Sequence, residues 1–413
     1  MMEEKTNISI NQNRLWDSLI EMSKIGPGLS GGNNRQTLTK EDGEARTLLQ
    51  KWCKNAGMSM EVDELGSMFF KRLGTNNEEL PVVIGSHLDT QPTGGKYDGV
   101  LGVLAGLEII RTLNDLKIQT SRPIMVVNWT NEEGARFPPA MMASAGYAGI
   151  YNVGDLLQST DADGKIFGDE LEKIGWKGKT KVGHQKFHCY YELHIEQGPI
   201  LEKEEIDIGV VTHGQGLKWL ELTLSGTEQH TGTTPMNARK DTTLAMSEII
   251  LAVNKIALEN LPNAVGSVGR IEVAPNSRNV IAGQIKFTID IRSPESSKLD
   301  KMATKIKETA LDVCHKYHIK FRMEQIGGFA PVAFDTKCLN HIRSSAQKLG
   351  YTSKDIISGA GHDACWVNSI VPSAMIMCPC VDGLSHNEAE EIKPKWAFSS
   401  TNVLLHAALL SAI

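Results

Sequence analysis

The chain has 413 residues, 41% of them hydrophobic and 22% charged, with a formal net charge of -6. That length allows two or three domains with cores of their own. Scattered basic residues on a slightly acidic chain exclude a nucleic-acid stripe, and no apolar run approaches the roughly 18 residues of a membrane span. The seven cysteines contain no CxxC pair, which excludes a zinc ribbon and a thioredoxin motif. Cys378 and Cys380 read as two buried strand-end thiols. Residues 1–13 are polar and lack the apolar run of a secretory leader, so a reducing cytoplasm is the expected compartment.

In chain order, residues 41–56 read as a helix, with Thr39 and Asp42 as a capping box and Gly57 at the C-terminal glycine position. Residues 82–85, 124–127 and 189–193 read as buried parallel strands. Between the first two, residues 99–113 form a helix rich in small residues and leucine, which makes a right-handed strand-helix-strand unit. The pattern then changes. Residues 219–224 alternate as a strand, 241–258 form a helix, 267–273 and 284–291 are strands, 298–317 a helix, and a strand follows near 319–323. Strand-helix-strand-strand-helix-strand is the ferredoxin-like order. A helix at 338–349, a strand at 373–377 and a closing helix from Lys395 return to α/β character. The expected architecture is an α/β catalytic domain of residues 1–213 and 327–413 with a mostly parallel central sheet, interrupted by an inserted α+β module at 214–326. Hinges are expected near 211–215 and 327–331.

Parallel sheets gather functional groups at the carboxyl ends of their strands. His87 follows the strand at 82, the Glu132-Glu133 pair follows the strand at 124, and His194 closes the strand at 189. Singly, each has an ordinary reading as a structural histidine or a solvated loop. Together they form a costly collection of buried imidazoles and carboxylates unless paired or metal-bound. Asp98 adds a carboxylate before the glycine-rich helix, where it also reads as an N-cap. Asp89, two residues beyond His87 on an extended backbone, is placed to orient that imidazole with its carboxylate. His386 lies in a turn near the C-terminus. Three imidazoles with several carboxylates suit borderline divalent ions. In the Glu132-Glu133 pair, one carboxylate can bind metal while its neighbour takes a proton from an activated water.

The segments GSHLDT, KYDGVLGV, NWTNEEGARF, ELHIEQGP, HTGTTPM, NVIAG and GLSHNEAE, in that order along nearly the whole chain, resemble the N-carbamoyl-L-amino-acid hydrolases, β-ureidopropionases and allantoate amidohydrolases, a branch of the dinuclear metallopeptidase clan. This resemblance selects these histidines among twelve. It implies a metallopeptidase-like catalytic domain holding two divalent ions per subunit, zinc, manganese, cobalt or nickel, with Asp98 shared, His87 and His194 completing one site, and Glu133 and His386 the other. It further implies Glu132 as general base and the inserted module as a dimerisation lid. His230, Asn279 and Arg292 of that module would contact substrate, with Gln197 and the backbone around Gly361 facing them. His230 would stabilise an oxyanion, from the neighbouring subunit by analogy, and Arg292 would clamp a substrate carboxylate. One departure is Thr231, where the family usually carries alanine.

Gln215-Gly216-Leu217-Lys218-Trp219 and residues 137–144 resemble the carbamoyl-amino-acid hydrolases and ureidopropionases more than the allantoate enzymes. The expected reaction is therefore hydrolysis of the ureido C–N bond of an N-carbamoyl-L-amino acid or N-carbamoyl-β-alanine, by a homodimer with no nucleic-acid or membrane partner. The alternatives are an allantoate amidohydrolase, an aminopeptidase or dipeptidase of the same clan, and a non-catalytic relative.

Overall fold

The computed structural model describes residues 8–413, so residues 1–7 of the polar N-terminal segment lie outside the described residues. Two compact units emerge. The first holds the chain up to Thr212 with Phe334–Ile356 and Gly361–Ile413; the second holds His213–Ala333 with Ile357–Ala360.

The first unit begins with α1 (Gln12–Ser23), α2 (Lys40–Asn55), β1 (Ser59–Val62), β2 (Met68–Arg72), β3 (Val82–His87), α3 (Val100–Asp115) and β4 (Ile124–Trp129). Short helices α4 (Met142–Tyr147), α5 (Val153–Leu157) and α6 (Phe167–Lys173) precede β5 (Cys189–Ile195), α7 (Ile200–Lys203) and β6 (Ile208–Gly214). Next come β7 (Gly216–Ser225), β8 (Gln229–His230), α8 (Thr242–Leu258), β9 (Val265–Ala274), β10 (Val280–Ile281), β11 (Gln284–Ser293), α9 (Ser296–Lys316), β12 (Lys320–Phe329) and β13 (Val332–Ala333). The chain closes with α10 (Thr336–Leu349), β14 (Ser353–Ser358), α11 (Asp363–Val367), β15 (Ser373–Cys378) and α12 (Pro394–Ala412).

Seven strands of the large sheet follow the order β1-β2-β4-β3-β5-β15-β6, and β14 also pairs with β6. Its parallel part is the central four strands, β4-β3-β5-β15. The margins, β1, β2 and β6, are antiparallel. The four central strands are buried along their whole length, which is why they read as unbroken apolar runs. Register sets their ends level: His87 lies opposite Trp129, and His194 opposite Met377. Groups that end or follow these strands therefore emerge along one edge. Helix α3 is buried on nearly every side. Its one buried acid, Glu108, is matched by Arg14 of α1 at 2.8 Å and by the Asn11 N–H at 3.1 Å.

The expected capping box of α2 is half present. Thr39 Oγ1 accepts from the Asp42 N–H at 3.2 Å, but Asp42 returns its bond to the N–H of Leu38, one residue before the cap. Asp42 is held there by the buried Arg46 at 3.0 Å. Gly57 follows the helix with φ +78°, as its position requires.

The second unit is a four-stranded antiparallel sheet in the order β12-β7-β11-β9 with the ferredoxin-like connection. One face of the sheet supplies Leu220, Leu222, Leu224, Ile285, Phe287, Ile289 and Ile291 to a core shared with Ile249 and Val253 of α8 and Met302 and Ile306 of α9. The alternate residues of β7 and β11 are the partly exposed ones, which produces the period of two seen in the sequence.

Among the described residues, no helix is long and apolar enough to cross a membrane. All seven cysteines are buried and unbridged, Cys378 and Cys380 at the end of β15 included.

Phe287 is fully buried at the centre of the second unit's core. Phe287→Ala is expected to cost about 3–5 kcal/mol, through lost burial and the cavity left behind. Urea unfolding of the two proteins checks this, and a change below about 1 kcal/mol would contradict the packing described.

Candidate metal centre

Three neighbouring parallel strands bring the site together. His87 ends β3, Glu132 and Glu133 follow β4, and His194 lies in β5. Asp98 precedes α3, and His386 sits in the turn beyond β15. Three residues of the site take left-handed backbone that non-glycine residues rarely adopt: Asn131, Gln197 and His386, at φ 60°, 57° and 53°. The Asn131 turn is secured by its side-chain amide, which donates to the Phe137 carbonyl at 2.7 Å, and it directs Glu132 and Glu133 back over the sheet edge.

Asp98 is the centre of the arrangement. Its Oδ1 lies 3.0 Å from His194 Nε2 and 3.5 Å from His87 Nε2. Its Oδ2 lies 3.6 Å from His386 Nε2, which is itself 3.3 Å from Glu133 Oε2. Two ligand sets result, His87–Asp98–His194 and Asp98–Glu133–His386, each with its donor atoms within 4.8 Å of one another. The first set is wholly buried, whereas His386 is 51% exposed.

Backbone carbonyls select the histidine tautomers. His87 Nδ1 meets the Asp89 carbonyl at 2.9 Å, and His194 Nδ1 meets the Ile195 carbonyl at 3.0 Å. A carbonyl only accepts, so Nδ1 is protonated in both rings and Nε2 is the atom turned toward Asp98, a donor to it when the ring is cationic and a lone pair for a metal when it is neutral. Gly99 lets the His87 ring sit where it does: its φ is +66°, and a Cβ there would overlap the imidazole.

The expected role of the Asp89 carboxylate needs correction. The Asp89 backbone carbonyl orients His87, while its carboxylate is 3.9 Å from Nδ1. That carboxylate instead accepts the backbone N–H groups of Glu132 and Glu133, at 3.3 and 3.2 Å. Asp89 thus braces the acidic turn with its side chain and the imidazole with its main chain. The Glu133 carboxylate accepts from Gln91 Nε2 at 2.8 Å. Glu132, also buried, belongs to neither ligand set; its Oε2 stands 3.6 Å from His87 Nε2.

The charge density is high. Burial, then repulsion from Asp98, pushes both Glu133 and Glu390 up to about 8. Burial also raises Glu132, with only part of the rise offset by His87. Asp98 stays low despite its burial because His194 and His87 both favour its anion. Burial works against a cationic His87, yet the surrounding Glu132, Asp98 and Asp89 outweigh it and raise its pKa. Divalent cations fit this site. His87 Nε2 is buried without a hydrogen-bond partner, and the nitrogen and oxygen donors converging on Asp98 are those borderline metals prefer.

Gln197 joins this cluster, donating to Asp98 Oδ2 at 2.9 Å and to Ser385 Oγ at 3.0 Å. Gly361 precedes His362, whose buried ring lies 4.5 Å from that of His194. His230, Asn279 and Arg292 belong to the second unit. There His230 faces Val280 across the β8–β10 ladder, and the Thr231 N–H donates to the Asn279 carbonyl at 3.0 Å. Arg292 pairs with Asp290 at 2.8 Å and donates to the Gly359 carbonyl at 2.9 Å. Sequence reasoning passed over Gln91, His362, Ser385 and Glu390. The last two lie inside the GLSHNEAE segment, and the adjacent His362-Asp363 was the signal available for the other histidine.

Residues 83–410 match the peptidase family M20/M25/M40. The chain belongs to that family. It is 57% identical over 98% of both chains to an N-carbamoyl-L-amino-acid amidohydrolase of Rhizobium meliloti. An allantoate amidohydrolase of Bacillus subtilis is 30% identical over 94% of both chains. Among solved structures, a hydantoinase/carbamoylase family amidase from Burkholderia multivorans is 47% identical, covers 98% of both chains and superposes with a TM-score of 0.95. The family is metal-dependent, in keeping with the His/Asp cluster.

Saturating zinc or manganese added to chelator-treated protein is expected to raise Tm by about 3–5 °C, because ligand at ~100 times Kd contributes about 2.7 kcal/mol. Asp98→Asn, which weakens both ligand sets at once, should lose most of that rise. Equal melting with and without metal would remove the case for this cluster.

Proposed function

We propose that the protein is an N-carbamoyl-L-amino-acid amidohydrolase: it hydrolyses the ureido C–N bond of an N-carbamoyl-L-amino acid, or of N-carbamoyl-β-alanine, with water to give the amino acid, ammonia and carbon dioxide. The observation carrying this is the pair of ligand sets joined at Asp98 with an uncommitted buried carboxylate, Glu132, beside them, in a chain 57% identical to an enzyme of that activity. Two divalent ions per subunit, zinc, manganese, cobalt or nickel, would be held by His87–Asp98–His194 and Asp98–Glu133–His386. When bound, they would acidify a water and polarise the ureido carbonyl.

Each remaining role follows from what a side chain has free. Glu132 takes the proton of the attacking water and passes it to the departing nitrogen. Asp89 holds the turn that aims it. In the second unit, His230 Nδ1 accepts the N–H groups of Gly232 and Thr233 at 3.0 and 3.3 Å. The neutral ring therefore carries its proton on Nε2, a donor suited to an oxyanion. Of Arg292's five N–H groups, Asp290 and Gly359 occupy Nε and one on each Nη. The two left over are available to a substrate α-carboxylate. Asn279 lies beside His230, and Gln197 and the Gly361 backbone line the catalytic side.

The active form is a homodimer through the second unit, in the cytoplasm. Strand β9 is an edge of its sheet and exposes Val265 and Ile271, while α8 exposes Leu244, Leu251 and Leu258 at seven-residue intervals. An open edge beside an apolar stripe suits pairing with a second copy.

Metal-loaded protein is to be given N-carbamoyl-L-amino acids, N-carbamoyl-β-alanine and allantoate separately, with ammonia release measured. Turnover of a carbamoyl amino acid, reduced about 10²–10⁴-fold by Glu132→Gln, is expected. Exclusive turnover of allantoate would replace this reading with an allantoate amidohydrolase. If His230 acts across the dimer, mixing inactive Glu132→Gln and His230→Ala proteins should restore about a quarter of wild-type activity, since half the dimers are mixed and each regains one site. No recovery despite demonstrated subunit exchange would make each active site self-contained.

A further inference from the structure

Glu390 lies 292 residues from Asp98 in the chain yet touches the centre at three points. It is buried, and its Oε1 accepts the N–H groups of both Tyr97 and Asp98, at 3.0 and 3.1 Å. Its Oε2 lies 3.2 Å from the Ser385 hydroxyl, which is also 3.0 Å from Asp98 Oδ2. The Glu390 N–H closes a turn onto the Asn387 carbonyl at 3.0 Å, so Ser385, His386 and Glu390 share one compact loop. The site leaves no slack on the other side. Gly95 packs against the Glu390 carboxylate, and a Cβ at that position would overlap it.

We infer that Glu390 is a positioning residue for both metal sites, fixing the main chain of the shared ligand Asp98 and tying it to the turn that carries His386. The inference rests on the ligand set proposed above. Asp98 is held at both ends. Its N–H is pinned by Glu390, and its Oδ2 is pinned by Gln197 and by the hydroxyl that Glu390 also contacts. Without the Glu390 carboxylate, two buried N–H groups lose their acceptor and the Asp98 and His386 loops lose their common anchor. Both ligand sets contain Asp98, so both sites weaken together. Gln91 provides the contrast. It bonds only Glu133, which belongs to one set, so its loss touches one site.

Zinc titration of chelator-treated full-length protein by calorimetry tests this without substrate. Glu390→Ala and Glu390→Asp are expected to weaken both zinc affinities about 10–100-fold, the usual cost of removing a group that orients a ligand. Glu390→Asp keeps the charge and the fold's buried acid but cannot span the distance. Glu390→Gln is expected to bind zinc close to wild type, because its amide oxygen still accepts both N–H groups and its NH2 faces the Ser385 oxygen. Gln91→Ala should weaken one site only. Wild-type zinc affinity in Glu390→Asp would overturn the inference, as would a Glu390→Gln protein as weak as Glu390→Ala, which would assign the effect to charge. Asp98→Ala is the separate control. If it binds two zinc ions as wild type does, the ligand set itself is wrong; if it loses both while Glu390→Ala and Glu390→Asp lose neither, only the role of Glu390 is refuted.

Discussion

The shared carboxylate of Asp98 is the contact on which the rest of the centre depends. One oxygen receives two imidazoles, and the other faces His386, Gln197 and Ser385. Such an oxygen-centred cluster is unfavourable in a protein interior unless cations compensate it. The fold supplies partial compensation through the two buried histidines, whose favourable interaction keeps Asp98 ionised. At Glu132, Glu133 and Glu390 the partners do not offset burial, which drives their pKa values up. The chain has therefore folded around a concentration of negative charge, which suits the metal dependence of its family.

That concentration of charge explains why the surrounding backbone is so heavily constrained. Carboxylates that repel one another stay in place only if their main chains are fixed from outside. Asp89 performs this for Glu132 and Glu133, accepting both N–H groups. Gly99 performs it by omission, allowing His87 to lie against the start of α3. The left-handed residues Asn131, Gln197 and His386 show where this constraint is stored as backbone strain.

What could be read from sequence follows the same physical division. The central strands announced themselves because burial on both faces demands unbroken apolar runs, and β7 and β11 because burial on one face demands alternation. Helix α1, the β1–β2 hairpin and β6 were passed over. β1 is short with weak alternation, whereas α1 buries Leu15, Ser18, Leu19 and Met22 at helical spacing, a period that was present and went unread. His87, His194 and the glutamate pair were legible as strand-end groups, whereas Asp98 and His386 needed the resemblance, since a helix-start acid and a turn histidine have ordinary explanations. The route by which Asp89 acts was misread because side-chain logic alone cannot see a backbone carbonyl. Glu390 stands inside the GLSHNEAE segment, but its role could not be read there because its partners are main-chain N–H groups nearly three hundred residues away.

The two units divide the chemistry in a way their architectures favour. A parallel sheet delivers several strand ends to one edge, so it can converge many charged groups on a small volume, and the first unit does this. An antiparallel ferredoxin-like sheet cannot converge groups so densely, but it presents separated polar residues on a rigid frame. His230 and Arg292 are of that kind, each already oriented by its own neighbours and each with donors left over. Donors that are preset before substrate arrives cost little to align when charge develops. The converging acids and imidazoles thus belong to the parallel unit, while the second unit has an apolar core of its own.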